Sequence, residues 1–394
     1  MIEEHSKLFG FSSAHRWTGN HCPGSVGMCL DEEDPDTEAS MEGTAAHYVA
    51  ETMLQQFKQR VDSNGIPAGE ALIGQQAPNG IIIIEEMFDA ALVYYLKVTE
   101  VVGTDVERKA NLRIEKRVYA PSIDEEAWGT ADAVFWWPNT NTLVIWDLKY
   151  GHKSVDAHEN EQLVGYAQAT AETFQIDTLN PRLCLNIVQP RCYDGKGALR
   201  QWNTCLDNIR AHVNHLRHAA NLHREGKAMC RSGEWCYKCP ARGKCTALTG
   251  ASTVAVDYSA APVKLNMSPV ALGYELELVE KALDRLEQRH EAILAEAEKR
   301  VRGGELIPGR RMEDKLGNKK WNKEVDPAML GSLFGCDFMK PAPPKTPTQA
   351  ITELRKKGLD ESVISTYYHT PKAGVKLVAD DGTRTKQLFS GEHL

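Results

Sequence analysis

Apolar positions recur with helical spacing from Met41 to Phe57, and again from about Glu85 to Val102, so each stretch predicts an amphipathic helix. The pattern changes between residues 111 and 248, which hold the strongest β signals. Alternation over 131–137 and 143–150 predicts two strands, and Pro138–Asn141 supplies turn chemistry between them. A helix follows, with Gln162 and Tyr166 one turn apart on one face. The stretch Ala251–Pro262 is rich in Ser, Ala and Val with little periodicity and reads as a linker. Beyond it Leu272, Leu276, Val279, Leu283, Leu286, Ile293 and Ala297 alternate spacings of four and three, with His290 filling the gap. This predicts a long amphipathic helix over 268–302. Its stripe either packs on its own domain or forms a homo-oligomer with a second copy. Short helices and a polar tail are expected after Pro341. The predicted organisation is a domain over 1–248, a linker over 249–263 and a helical, partly basic module over 264–394.

Composition narrows the class. The chain has 394 residues, 42% hydrophobic and 25% charged, the profile of a soluble globular protein. No apolar run approaches a membrane span, and no secretory leader is visible at the start, so a reducing cytosol is the expected location. Ten cysteines then call for a reason other than disulfides. The formal charge of −8 argues against a chain-wide nucleic-acid footprint and leaves room for a local one. One local basic run, Lys299–Lys323, holds nine Lys/Arg against three Asp/Glu with Trp321 inside it. It reads as a solvated face or a DNA-backbone contact.

The candidate chemistry lies on the two strands. Side chains two apart on a strand share a face, so Asp147 and Lys149 point together while Leu148 points into the core. Asp132, near the start of the partner strand, reaches the same cleft. Carboxylates there suit Mg²⁺ or Mn²⁺, and a lysine beside such a metal orients the attacking water or offsets developing charge. On the first helix His47 and Glu51 stack at i and i+4. Read singly, these are an ordinary ion pair, a surface His–Glu pair and an amphipathic helix.

Taken in order, Gly43-Thr-x-x-His47-x-x-x-Glu51, Gly129-Thr-Ala-Asp132, Asp147-Leu-Lys149-Tyr-Gly and Gln162-x-x-x-Tyr166 resemble the RecB-like, AddB-like branch of the PD-(D/E)XK nucleases over about residues 12–248. The resemblance implies an α/β fold, a restriction-endonuclease-like small mixed β-sheet flanked by helices. It implies metal at His47, Asp132 and Asp147, with Lys149, Gln162 and Tyr166 completing a DNA-hydrolysing site, an exonuclease by expectation. A non-catalytic DNA-binding or scaffold protein on the same fold is the alternative. Cys22, Cys236, Cys239 and Cys245 match the arrangement by which part of this branch holds a [4Fe–4S] cluster. A zinc site from Cys230, Cys236, Cys239 and Cys245 is the rival. Cys29, Cys184, Cys192, Cys205 and Cys336 are expected to be buried small apolar residues. The whole chain also resembles a bacteriophage and prophage family. That implies a bacterial host cytoplasm, DNA replication or recombination as context, and a phage recombinase or single-strand-binding protein as partner. No Gly-x4-Gly-Lys-Ser/Thr loop is present, so ATP is not implied.

Overall fold

A five-stranded mixed sheet in the order β1-β2-β3-β4-β5 organises the chain. The computed structural model describes residues 6–32, 37–59, 64–192, 197–260 and 266–310. Contacts divide the chain into two units, Met1–Asp314 and Lys315–Leu394, and the second lies outside the described residues. So do the expected short helices and tail, Trp321 and Cys336.

The strands are β1 (Leu112–Tyr119), β2 (Trp128–Trp137), β3 (Thr142–Leu148), β4 (Arg182–Val188) and β5 (Leu199–Cys205). β1–β2, β2–β3 and β4–β5 pair antiparallel, whereas β3–β4 is parallel. Parallel neighbours need a crossover. Here α7 (Glu161–Thr173) provides it. The hairpin turns where expected, with Asn141 in left-handed backbone (φ 48°). β2 starts earlier than predicted because β1 pairs along it from Tyr119↔Trp128 to Leu112↔Phe135. That long-range pairing carries no local signal.

β3 is covered on both faces. Leu143 and Ile145 enter one core with Trp17, Leu163 and Leu216. Val144, Trp146 and Leu148 enter a second with Met53, Phe88 and Tyr94. The helices α1 (Ala14–Trp17), α7 and α8 (Arg210–Arg224) build the first side. On the second side lie α3 (Glu38–Gln59) and α5 (Glu85–Val102), the predicted helices, the former longer than expected and the latter at its expected bounds. Short α2 (Ser25–Cys29), α4 (Ile66–Glu70) and α6 (Val106–Asn111) join them. No described helix is long and apolar enough to cross a membrane.

Two expectations need correction. The presumed linker is largely helical, α9 (Thr246–Ser259), packed antiparallel on α10 (Pro269–Arg302). Its small residues allow close approach: buried Ser252 donates from Oγ to Leu248 O (2.8 Å) and to Arg285 O of α10 (3.2 Å). Thr249 meets Arg289, and Tyr258 meets Glu275. Second, α10 turns Gln288 and Ala292 inward, whereas Leu272, Leu276, Val279, Leu283 and Ile293 of the heptad stripe are exposed. The reading in which that stripe packs on its own domain fails among the described residues, because α9 covers a different face.

Candidate functional site

The carboxylate site grows from the register of β2 and β3. The last paired positions are Ala133↔Trp146, so Asp132 and Asp147 stand opposite each other one step further on. Leu148 N–H donates to Asp132 Oδ2 (2.7 Å), which ties the two strand ends together. Lys149 lies just past β3, its own N–H bonded to Val188 O of β4 (2.9 Å). The crossover helix then returns over this end. Asn160 caps α7, accepting at Oδ1 from the Gln162 and Leu163 amides (3.1 and 3.2 Å). That cap fixes the first turn and aims Gln162 at the strand ends.

Asp147, Lys149 and Gln162 close a triangle. Lys149 Nζ lies 2.8 Å from Asp147 Oδ2 and donates to Gln162 Oε1 at 2.8 Å, while Gln162 Nε2 donates to Asp147 Oδ1 at 2.7 Å. Asp147 is 3% exposed, and the Gln162 hydrogen bond at Oδ1 and the Lys149 ion pair at Oδ2 offset the cost of its burial.

Beside the triangle is a group of candidate metal donors. Donor atoms of His47, Glu115 and Asp132 all lie within 4.8 Å of one another, and His47 Nδ1 is 3.4 Å from Asp132 Oδ2. One imidazole and two carboxylates fit Mn²⁺, with Mg²⁺ favouring the oxygens. Burial pushes the Asp132 carboxyl up to about 6, with Asp147 adding to the rise and His47 opposing it. Glu115 sits on β1 in left-handed backbone (φ 44°) between the paired residues Ile114 and Lys116, which places it across from Asp132. A non-glycine residue held there is strained, a state typical of functional positions.

Glu115 has no place in the sequence reading. An isolated glutamate in a charged strand carries no local signal; only the pairing of β1 with β2 brings it to the site. Asp147, expected among the metal ligands, falls outside the three-donor set. Tyr166 is 2% exposed, edge-on to Phe11 at 5.5 Å, and its hydroxyl titrates well above the usual range, through burial and then Asp132 and Asp147. The structure places it beneath the site, not on an open face.

The cysteines gather about 3₁₀ turns at Glu234–Cys236 and Pro240–Gly243 and the start of α9. Cys22, Cys230, Cys236, Cys239 and Cys245 line one small cavity with Arg16. Cys22 Sγ accepts from the Arg231 amide (3.2 Å), and Cys236 Sγ from the Gly233 amide (3.4 Å). Burial, and then Cys22 and Cys245, raise the Cys230 thiol to about 12. Cys239 Sγ instead lies 3.7 Å from Cys29 Sγ. Cys29 is therefore a member of the thiol group, against its expected role as an inert apolar residue. Cys192 is buried as expected, whereas Cys184 and Cys205 are half-buried. All the described cysteines are free of disulfides.

The profile of the family described as "Protein of unknown function (DUF2800)" matches residues 5–385. The chain belongs to that family. The match spans both the carboxylate site and the cysteine group, so one family description covers the two features together. No solved structure matches the chain.

Proposed function

We propose that the protein is a divalent-metal-dependent deoxyribonuclease with a restriction-endonuclease-like core, hydrolysing phosphodiester bonds. The observation that carries this reading is the buried Asp147–Lys149–Gln162 triangle beside the His47–Glu115–Asp132 donor set at the ends of adjacent strands. His47, Glu115 and Asp132 would hold Mg²⁺ or Mn²⁺. The ion supplies charge stabilisation at the phosphodiester and acidifies water. Asp147 and Gln162 hold the Lys149 amine in one position, where it orients the attacking water or offsets charge on the phosphate. Asp147 acts through Lys149 in this scheme, and Tyr166 fixes α7 from below.

The cysteine cavity fits a polythiolate centre on two observations. Backbone amides already point at Cys22 and Cys236 sulfurs. Arg16 Nε is buried there without a hydrogen-bond partner, a donor suited to an anionic group. Cys230 lies against Cys22 and Cys245, and Cys239 Sγ is 3.7 Å from Cys29 Sγ, spacings that zinc with Zn–S bonds of about 2.3 Å would also accept. The sequence resemblance, and not the thiol spacing, favours a [4Fe–4S] cluster with a structural role at Cys22, Cys236, Cys239 and Cys245, with Cys230 at the same cavity and zinc as the alternative. By the sequence resemblance, exonucleolytic action in phage DNA replication or recombination completes the reading.

The test is cleavage of end-labelled single- and double-stranded DNA by anaerobically purified protein with Mn²⁺, Mg²⁺ or EDTA. Metal-dependent cutting is expected, with a loss of about 10²-fold or more in Lys149→Ala. DNA bound but never cut with any divalent metal would replace the nuclease by a binding protein on the same fold.

A further inference from the structure

Some cations on this protein have acidic partners. In the cysteine segment, Arg242 pairs with Glu291, and Lys244 with Glu32. Four cations are grouped on one face of this segment. Arg16, Lys153, Arg231 and Lys238 form no ion pair with a carboxylate among the described residues. They are also neighbours. Arg16 donates to Lys238 O (3.4 Å), and Arg231 to Gly19 O (3.4 Å), two residues after α1 ends. Lys153, in the loop after β3, stands 4.6 Å over the ring of Tyr237.

This strip borders the carboxylate site through Lys153, which lies in the loop that follows β3 and begins with Lys149. α1 packs between α7, which carries Gln162, and the turn Glu234–Cys236. Crowding of the His15 ring on α1, and then the nearby charges of Arg16, Lys149, His21 and Lys238, lower its pKa to about 4, although the residue as a whole is exposed. Clustered like charges repel, and in a chain of net charge −8 acidic partners were plentiful. An unpaired cationic strip running from a phosphate-cleaving site is suited to a polyanion backbone.

Aromatic groups lie along the same strip. Tyr237 is 42% exposed, and His21 stacks on Trp235 with ring centroids 4.4 Å apart. Duplex DNA keeps its bases stacked inside, whereas a single strand offers them to such rings. We infer that the surface formed by Arg16, Lys153, Tyr237 and Lys238 is a track that delivers single-stranded nucleic acid to the carboxylate site. This rests on the nuclease reading for its direction and on the surface alone for its existence.

The experiment measures fluorescence anisotropy of a labelled oligothymidylate and of a matching duplex with the full chain in EDTA, so that no cutting intervenes. Lys153→Glu/Lys238→Glu should weaken single-strand binding at least about tenfold and flatten the salt slope by about 1.4, two phosphate contacts at about 0.7 each. Tyr237→Ala should lose about fivefold or more at every salt concentration, with duplex binding little changed. Arg210→Glu, an exposed cation on α8 paired with Asp207, controls for net charge. Equal losses in that control, or equal losses for duplex and single strand, overturn the track. Adding Mn²⁺ separates the two ideas. Wild-type binding with this mutational pattern but no cutting retains the track and sinks the nuclease. Cutting of single strands undiminished in the track variants does the reverse. Circular dichroism of each variant confirms that lost binding is not lost folding.

Discussion

At the residue scale Asp132 does two opposed things. It belongs to the His47–Glu115–Asp132 donor set proposed to hold metal, and its burial raises its carboxyl to about 6. A folded-state value above the ordinary one means that the folded, metal-free protein binds the proton more tightly than the unfolded chain. This group's contribution to stability therefore rises as pH falls through about 6 and levels off below about 4. Asp132→Asn should raise the stability of the metal-free protein at pH 8 by about 1–3 kcal/mol, since the amide still accepts from the Leu148 amide. The same substitution should abolish Mn²⁺ binding. In the wild type, proton and metal compete, so Mn²⁺ affinity should fall by up to about tenfold per pH unit below about 6. Calorimetric titration from pH 5 to 8 checks both; affinity flat across that range would remove Asp132 from the ligand set.

At the element scale the site depends on how α7 seats on the sheet. A Cβ at Gly165 would lie 2.4 Å from Phe11 Cδ1, in the packed layer that also holds Tyr166. Gly165→Ala should therefore cost about 1–3 kcal/mol through overpacking, despite the better helix propensity of alanine. Because α7 carries Gln162, the proposed cleavage of DNA should drop beyond what lost folding explains. Urea melts and single-turnover cleavage on the remaining folded protein give the two effects separately. This glycine is an element of the packing between α7 and the amino-terminal segment, and its neighbour in space is more than 150 residues away in sequence.

At the scale of the whole molecule, the cysteine cavity brings Cys22 beside the segment 230–245, two ends of the sheet domain. The proposed cluster would cross-link these distant points and restrict the unfolded chain, and so would contribute to stability. Removing it by oxidation and chelation, or by Cys236→Ser, should lower the melting temperature. It should also open the amino-terminal segment to protease before the sheet unfolds. Limited proteolysis followed by mass spectrometry reads this directly; unchanged cleavage kinetics would show that packing alone holds the two ends.

The sequence by itself determined the local parts. Periodicity marked α3, α5 and α10, and turn chemistry marked the β2–β3 hairpin. Strand alternation put Asp147 and Lys149 on one face, and helical spacing put Gln162 on the helix that crosses above them. These features depend on neighbours within a few residues. The tertiary structure decided what depends on distant pairing. The β1–β2 register set Glu115 against Asp132. The seating of α9 chose which side of α10 faces inward, leaving the heptad stripe exposed. Loop packing brought Cys29 to Cys239, and Cys230 to the cavity of Cys22. Such contacts are invisible along the chain because their partners are fixed only when the sheet closes and the loops are packed upon it.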